Sequence, residues 1–266
     1  MCYTPVKGVD YMDLRHHNII ITGGTTGIGL ALAERFLDLG NTVLVVDYSV
    51  QHLVEAKQKR PDLLTYHADL SHPDLREEFA DWVMEHFSDV DMLINNAGIQ
   101  RWINLTNLKH DWAWYHQELA INLEAPLHLT MLLLPTIVAK FEGAIVNVSS
   151  GLVINNGSWV PLYSASKSGV HGFTQALRHQ LEDTKTHVFE ILPPAVNTNL
   201  GGSGEHEYGS DLNQFVDAVF EQLAGDVPEI TFATSWDQLR ASKQVNEEMT
   251  EETWQLFKNN PTFKNA

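Results

Sequence analysis

Apolar residues fall along this chain in short blocks separated by longer, periodic stretches. Asn18-Ile19-Ile20-Ile21-Thr22 is a continuous apolar run ending in glycines, the pattern of a strand buried on both faces. From Gly27 to Leu39 the apolar positions Ile28, Leu32, Phe36 and Leu39 recur near helical spacing, and Gly40 follows where a helix C-terminus ends. The pairing then repeats. Thr42 to Val46 reads as a strand and Gln51 to Lys59 as a helix stopped by Pro61. Leu63 to His67 reads as a strand, and Leu75 to Phe87 as a helix with Leu75, Phe79, Trp82, Val83 and Phe87 on one side. Asp91 to Ile94, Gly143 to Val148, Val188 to Leu192 and Glu229 to Ala233 are further strands. Trp112 to Ala139 holds one long helix or two broken ones, and Tyr163 to Leu181 and Asp211 to Leu223 are helical.

Strands this apolar, each followed by a helix, require a parallel sheet covered on both faces. The expected fold is α/β: a single doubly wound domain with a Rossmann-type parallel sheet of about seven strands. Residues 18–235 are expected to form the body of this domain, 1–17 an extension, and 236–266 a segment completing the same domain.

Charge changes which partners the surface accepts. Lys and Arg number 17 against 34 Asp and Glu, a formal net charge of −17, and no basic run offsets it. Nucleic-acid backbones and anionic membrane surfaces are therefore not expected partners. Only 19% of residues are charged and 44% are hydrophobic, so the acidity reflects scarce bases in an ordinary globular composition. The single cysteine, Cys2, forms no internal disulfide. Met1 to Asn18 shows no secretory pattern. The longest apolar stretch, Leu127 to Ala139, is interrupted by His128, Thr130, Pro135 and Thr136 and reads as too short to span a bilayer. The expectation is a cytoplasmic protein.

Candidate chemistry begins directly after the first strand, in Thr22-Gly23-Gly24-Thr25-Thr26-Gly27-Ile28-Gly29. Glycines let a backbone turn tightly and approach a pyrophosphate, and the following helix N-terminus offers free N–H groups to the phosphates. Such a turn also occurs as an ordinary strand-to-helix connection. The second strand ends at Asp47, 20 residues beyond Gly27. A carboxylate there accepts hydrogen bonds from both adenosine ribose hydroxyls and repels a 2′-phosphate. Thr25, Thr26 and Tyr48 supply no base to offset it, so NAD is expected over NADP.

Four further segments narrow the reading: Asn95-Asn96-Ala97-Gly98 closing the fourth strand, Asn122 in a helix, Ser150 ending the fifth strand, and Tyr163-Ser164-Ala165-Ser166-Lys167. Together with the glycine turn they resemble the short-chain dehydrogenase/reductase superfamily, over about Asn18 to Ala233. Asn95-Asn-Ala-Gly-Ile-Gln, Asn122-Leu-Glu-Ala-Pro, Ser150-Gly-Leu, Leu177-Arg-His-Gln-Leu and Leu192-Pro-Pro-Ala-Val-Asn-Thr resemble its DltE-like branch of oxidoreductases. Members of that branch typically carry Gly-Arg near Asp47-Tyr48, so the cofactor preference here departs from theirs.

The resemblance implies an alcohol–carbonyl oxidoreductase. Tyr163 and Lys167 are four residues apart and share a helix face. A phenol with a pKa of roughly 10 exchanges protons poorly near neutrality; the ammonium and an oxidised nicotinamide are expected to lower it. Ser150 donates to the substrate oxygen. By resemblance, Lys167 also holds the nicotinamide ribose and Asn122 anchors a water in a proton relay. The same carry-over places Gly23, Gly27, Ile28 and Gly29 at the pyrophosphate, Asp69 at the adenine with Leu70 beside it, and Asn96, Ala97 and Gly98 along the adenosine ribose. Pro193, Val196 and Thr198 border the nicotinamide. The superfamily usually has Pro-Gly where this chain has Pro193-Pro194, and proline restricts both itself and its predecessor.

Gln100, Trp102, Val153, Trp159 and Pro194 are the candidate lining for a small or medium, partly apolar alcohol or ketone substrate. Gly201-Gly202-Ser203-Gly204 reads as a lid or a plain loop. The 13 histidines, including His171 and His179, lack carboxylate or cysteine partners at ligand spacing, so no metal site is expected. A homodimer or homotetramer is implied by the resemblance alone. The rival class, a dinucleotide-binding regulatory protein with weak catalysis, would be favoured by loss of Tyr163 or Lys167, and both are present.

Overall fold

Seven strands alternate with helices and join into one parallel sheet, in a computed structural model that describes residues 12–202, 204 and 206–266. Cys2, most of the 1–17 extension, and Ser203 of the glycine loop lie outside the described residues. The strands are β1 (Asn18–Thr22), β2 (Thr42–Asp47), β3 (Leu64–His67), β4 (Met92–Asn95), β5 (Ala144–Val148), β6 (His187–Leu192) and β7 (Glu229–Thr231). Their order is β3-β2-β1-β4-β5-β6-β7, all parallel. The direction of winding reverses between β1 and β4. In open sheets of this kind, ligands bind outside the strand C-termini at that switch point.

The period of two along each strand divides the core. Ile19, Ile21, Val43, Val45, Met92 and Ile94 point to one face, where they meet Leu32 and Phe36 of α1 (Gly27–Asp38), Leu53 of α2 (Val50–Lys59) and Phe215 of α7 (Leu212–Ala224). Ile20, Leu44, Val46 and Leu93 point to the other. There they meet Phe79 of α3 (Pro73–His86), Leu129 and Leu133 of α5 (Ala125–Val138), and Leu177 of α6 (Pro161–Gln180). Each fully buried aliphatic contributes roughly 1.5–3 kcal/mol, and burial on both faces explains the continuous apolar runs. Met12 and Leu14 also pack into the first of these layers.

The segment read as one long helix or two is continuous. α4 (Trp112–Leu119) passes through a π-helical turn, Ala120–Glu124, into α5. The whole run, Trp112–Val138, has 27 residues and a mean hydropathy of 1.4 over its most apolar window. By length and composition alone such a run passes for a membrane span, as core helices also do. Its apolar side, Leu129, Leu133 and Ile137, is instead fully buried against the sheet. Beyond β7 the chain continues in three helices that the apolar pattern did not reveal: α8 (Thr234–Arg240), α9 (Lys243–Phe257) and α10 (Pro261–Asn265).

Candidate active site

The glycine turn after β1 and the Asn95–Gly98 segment after β4 are bonded to each other at the switch point. The hydroxyl of Thr22 accepts from the backbone N–H groups of Asn96 and Ala97, both at 2.9 Å. The Asn96 amide donates to the carbonyls of Thr22 and Gly23, at 3.0 and 3.1 Å. Gly23 has φ +61°, and a Cβ there would meet the Ala97 Cα at 2.8 Å. Gly29 is more constrained: a Cβ would lie 2.3 Å from the Gly23 carbonyl oxygen and 2.4 Å from the Asn96 amide. Gly27 has φ +53° and faces Thr198, which follows β6. Gly98 lies nearest to the Asn122 amide and the Lys167 ammonium.

The N-terminus of α1 opens onto the switch point with no side-chain cap from Thr26 and no acidic residue in its first turn. α3, α6 and α8 likewise lack a side-chain cap, so it is the place of α1 beside the glycine turn that sets it apart. The amides of Ile28 and Gly29 therefore fit an anion such as pyrophosphate. Ile28 also packs its side chain on the core. Asp47 is buried at the end of β2, accepting from the Thr25 hydroxyl at 2.5 Å and the Ser49 N–H at 2.9 Å. It thus ties the strand end to the glycine turn. Asp69 follows β3 and accepts from the Ser71 N–H and hydroxyl, while Leu70 is a buried core residue. Pro193 accepts from the Gly151 N–H at 2.8 Å, and Val196 is buried and bridged to Ser210.

A buried amide ladder fixes the strands beneath the site. Asn95 and Asn147 are register partners on β4 and β5; the Asn95 amide donates to Thr130 at 3.0 Å and to Asn147 at 2.8 Å. Asn147 in turn donates to Thr174 on α6 at 2.9 Å. This anchors the helix that carries Tyr163 and Lys167. Their side chains converge with Ser150, which hydrogen-bonds Tyr163. The Lys167 Nζ donates to the Val148 carbonyl at 2.8 Å and lies 5.7 Å from the Tyr163 ring centre. Asn122 sits in the π-helical turn, accepting from the Ile99 N–H at 2.9 Å and donating to its carbonyl at 2.8 Å.

Burial dominates the electrostatics. It pushes the Tyr163 phenol up to about 12, against the Ser150 hydrogen bond, which lowers it, and with the Glu118 charge, which raises it further. The expected depression of this pKa is thus not supplied by the protein groups, because desolvation of a phenolate outweighs a single hydrogen bond. Burial lowers Lys167 to about 8, opposed by the charges of Glu190 and then Glu118.

Two buried carboxylates around Lys167 were not among the residues singled out from the sequence. Glu190, on β6, is fully buried; it accepts from the Ser149 hydroxyl, and His171 contacts it at 2.8 Å. That contact raises the His171 pKa. The fold therefore gives His171 the carboxylate partners that sequence spacing lacks, Glu190 and Glu229. Ser149 on Glu190 and the Arg178 guanidinium 3.9 Å from Glu229 make this an ion-pair network. Glu118, on α4, is fully buried one helical turn before Asn122. An isolated acid in so acidic a chain gives no sequence signal.

Trp102 and Trp159 of the candidate pocket lie with Tyr163 in one apolar cluster, together with Leu152, Leu200, Phe257 and Phe263. Phe257, from α9, stacks on Trp159 at 4.1 Å and 20°, and meets Trp102 edge-on at 5.3 Å. The Asn155 amide donates to the Asn246 carbonyl of α9 at 2.9 Å. Gln100 lies beside Gly201, and Val153 and Pro194 are half-buried on the flanking turns.

The short chain dehydrogenase family pattern matches residues 17–208. The chain belongs to this family. It is 38% identical over 198 residues, 74% of this chain and 79% of the relative, to "Uncharacterized oxidoreductase DltE" of Bacillus subtilis (strain 168). It is 30% identical over 186 residues, 68% of this chain and 74% of the relative, to the 3-oxoacyl-[acyl-carrier-protein] reductase FabG of Thermotoga maritima. Among solved structures, a short chain dehydrogenase from Burkholderia cenocepacia J2315 in complex with NADP superposes with a TM-score of 0.78 at 23% identity. It covers 90% of this chain and 99% of its own. A Burkholderia phymatum relative in complex with NAD superposes at 0.77 and 20% identity, over 94% and 98%. These likenesses show the fold. As a family member the chain is an oxidoreductase acting on small molecules.

Proposed function

We propose that this short-chain dehydrogenase is an NAD(H)-dependent enzyme interconverting an alcohol and a carbonyl. The observation that carries the reading is the buried convergence of Ser150, Tyr163 and Lys167 next to an uncapped helix N-terminus at the sheet's switch point. When bound, the nicotinamide supplies hydride chemistry. Ser150 holds the substrate oxygen, and Tyr163 gives it a proton in reduction or takes one in oxidation. Lys167 stabilises the ionised phenol, and Asn122 fixes the Ile99 backbone that borders the site.

Asp47 supports NAD over NADP. Its carboxylate ends β2 beside the glycine turn, where in this reading the adenosine ribose would sit, and Thr25, Thr26 and Tyr48 bring no cation to a 2′-phosphate. NADH is expected to bind at least about tenfold more tightly than NADPH, about 1.4 kcal/mol. Asp47→Asn, which keeps the shape and removes the charge, should narrow that ratio. Titration calorimetry with both dinucleotides measures it, and tighter binding of NADPH by the unaltered chain refutes the assignment.

The aromatic group around Trp102, Trp159 and Phe257 supports an apolar, ring-bearing substrate. Phe257→Ala is expected to weaken binding of a probe such as acetophenone about tenfold in the presence of dinucleotide. A small ketone such as butanone should be affected far less. Equal loss for both probes would show that Phe257 only stabilises the fold.

A further inference from the structure

A row of polar residues crosses the sheet beneath α6. Asn95 of β4 pairs in register with Asn147 of β5, Asn147 with Glu190 of β6, and Glu190 with Glu229 of β7. A central strand position covered by a helix ordinarily holds an aliphatic residue, as Ile145 and Val188 do on the same face. Glu190 is instead a fully buried carboxylate, which is costly to desolvate unless its hydrogen bonds are satisfied. What it bonds to is therefore informative.

The row grips α6 at successive turns. Asn147 donates to the Thr174 hydroxyl at 2.9 Å. His171 Nδ1 contacts the two Glu190 oxygens at 3.0 and 2.8 Å, and the Arg178 guanidinium stands 3.9 Å from Glu229. The Gln175 amide nitrogen lies 3.0 Å from His171 Nε2. An amide nitrogen only donates, so Nε2 accepts and Nδ1 carries the N–H that reaches Glu190. His171 follows Tyr163 and Lys167 at four-residue intervals, on the same face of α6.

Glu190 is set apart from the rest of the row by a bond in the other direction. Its Oε1 also accepts from the Ser149 hydroxyl. Ser149 lies between the two groups that the site takes from the end of β5. Before it is the Val148 carbonyl, which accepts from the Lys167 ammonium at 2.8 Å. After it is Ser150, whose hydroxyl bonds Tyr163. The Ser149 N–H donates to the Ile191 carbonyl at 2.9 Å, and the chain then turns away into Gly151–Val153. One carboxylate thus joins the strand end that carries Ser150 to the helix that carries Tyr163 and Lys167.

We propose that Glu190, held by His171, is a positioning residue of the active site: through Ser149 it fixes Ser150 and the Val148 carbonyl against Tyr163 and Lys167, without touching substrate or dinucleotide. This inference rests on the alcohol–carbonyl reading above. Displacing reacting groups by about 1 Å costs up to about 100-fold in rate, and a strand end released from one hydrogen bond should lose part of that. The pyrophosphate turn before α1 is not touched, so the loss belongs in kcat and not in dinucleotide affinity.

The test compares the unaltered chain with Glu190→Leu, Glu190→Gln and Ser149→Ala, using 1-phenylethanol and NAD. Exchanging a buried charge for an apolar side chain is often neutral for stability, and the partly exposed His171 can turn to water. Glu190→Leu should therefore keep its Tm, bind NADH within about twofold of the unaltered chain, and lose about tenfold in kcat. Glu190→Gln keeps an acceptor for Ser149 and should recover most of that loss. Ser149→Ala breaks the same link from the other side and should match Glu190→Leu. The two together should lose no more than either alone, because only one link is broken. Unchanged kcat in Ser149→Ala, equal loss in Glu190→Gln and Glu190→Leu, or losses that multiply in the double variant overturn the proposal. Ser149→Ala leaves the Glu190–His171 pair in place and carries the test alone if Glu190→Leu does not fold. A second readout needs no turnover. In NADH-bound protein labelled at the tyrosine Cζ, the NMR signal of Tyr163, assigned by its loss in Tyr163→Phe, should move in Ser149→Ala and stay in place in Glu190→Gln. An unmoved signal in Ser149→Ala overturns the positioning. A moved signal in a chain that oxidises no alcohol supports the positioning and refutes the assigned reaction.

Discussion

Tyr163→Phe is expected to fold normally, bind NADH as tightly as the unaltered chain, and lose about 10²–10⁴-fold in turnover, the range of general acid–base catalysis. The ring of Tyr163 is packed among Trp159 and Val160, and phenylalanine preserves that packing. The hydroxyl is what is lost. Because burial holds the phenol at about 12, it is protonated throughout the neutral range. It is therefore ready to donate to a carbonyl, and reduction needs no prior ionisation. Oxidation needs the phenolate, which the Lys167 charge and the cofactor's own positive charge must stabilise together. The oxidative rate should consequently rise with pH where the reductive rate is flat or falls. Steady-state assays in both directions, with calorimetry for NADH, check this; full turnover in the variant sinks the proton role of Tyr163.

The strands were legible in the sequence because they are buried on both faces, which leaves few polar interruptions between Ile19 and Ile21 or between Val43 and Val46. The glycine turn and the shared helix face of Tyr163 and Lys167 were legible from local geometry, whereas Asn96 and Ser150 were singled out by resemblance to the family. What escaped depends on which residues the fold brings together. Nothing along the chain says that Asn95 and Asn147 share a register, or that Glu190 lies against His171. The C-terminal helices escaped for another reason. No residue of α9 is fully buried, so its pattern is that of a solvated helix, and Phe257 gains its meaning only from Trp159. The raised Tyr163 pKa shows the same limit, since desolvation depends on the surrounding volume and not on the Tyr-x3-Lys spacing.

The acidic surface and the dinucleotide turn also need reconciling. A chain of net charge −17 binds a pyrophosphate only if the local field overrides the distant one. Exposed charges more than about 8–10 Å away are largely screened at physiological ionic strength. The uncapped amides of α1 act within hydrogen-bond distance and are not. Affinity should therefore reside in the shape of the turn more than in any basic residue.

That dependence makes Gly29→Ala the other large effect. The added methyl cannot fit: its carbon would lie 2.3 Å from the Gly23 oxygen and 2.4 Å from the Asn96 amide nitrogen. Either the turn widens or Asn96 withdraws, and withdrawal breaks its bonds to Thr22 and Gly23, which join the β1 and β4 turns. Overpacking of this kind costs about 1–3 kcal/mol, a fall in Tm of roughly 2–12 °C for a domain of this size. Dinucleotide affinity should drop by more, about 100-fold, because the phosphate-facing amides move with the turn. Gly172→Ala is the control. It too sits in a helix, on α6, but nothing lies within 4 Å of its added carbon. Relieving glycine's backbone entropy there should leave stability equal or raise it by about 0.5–1 kcal/mol, with NADH binding unchanged. Scanning calorimetry and NADH titration of the two variants side by side decide the matter: if Gly29→Ala binds NADH as the unaltered chain does, the pyrophosphate does not sit on this turn.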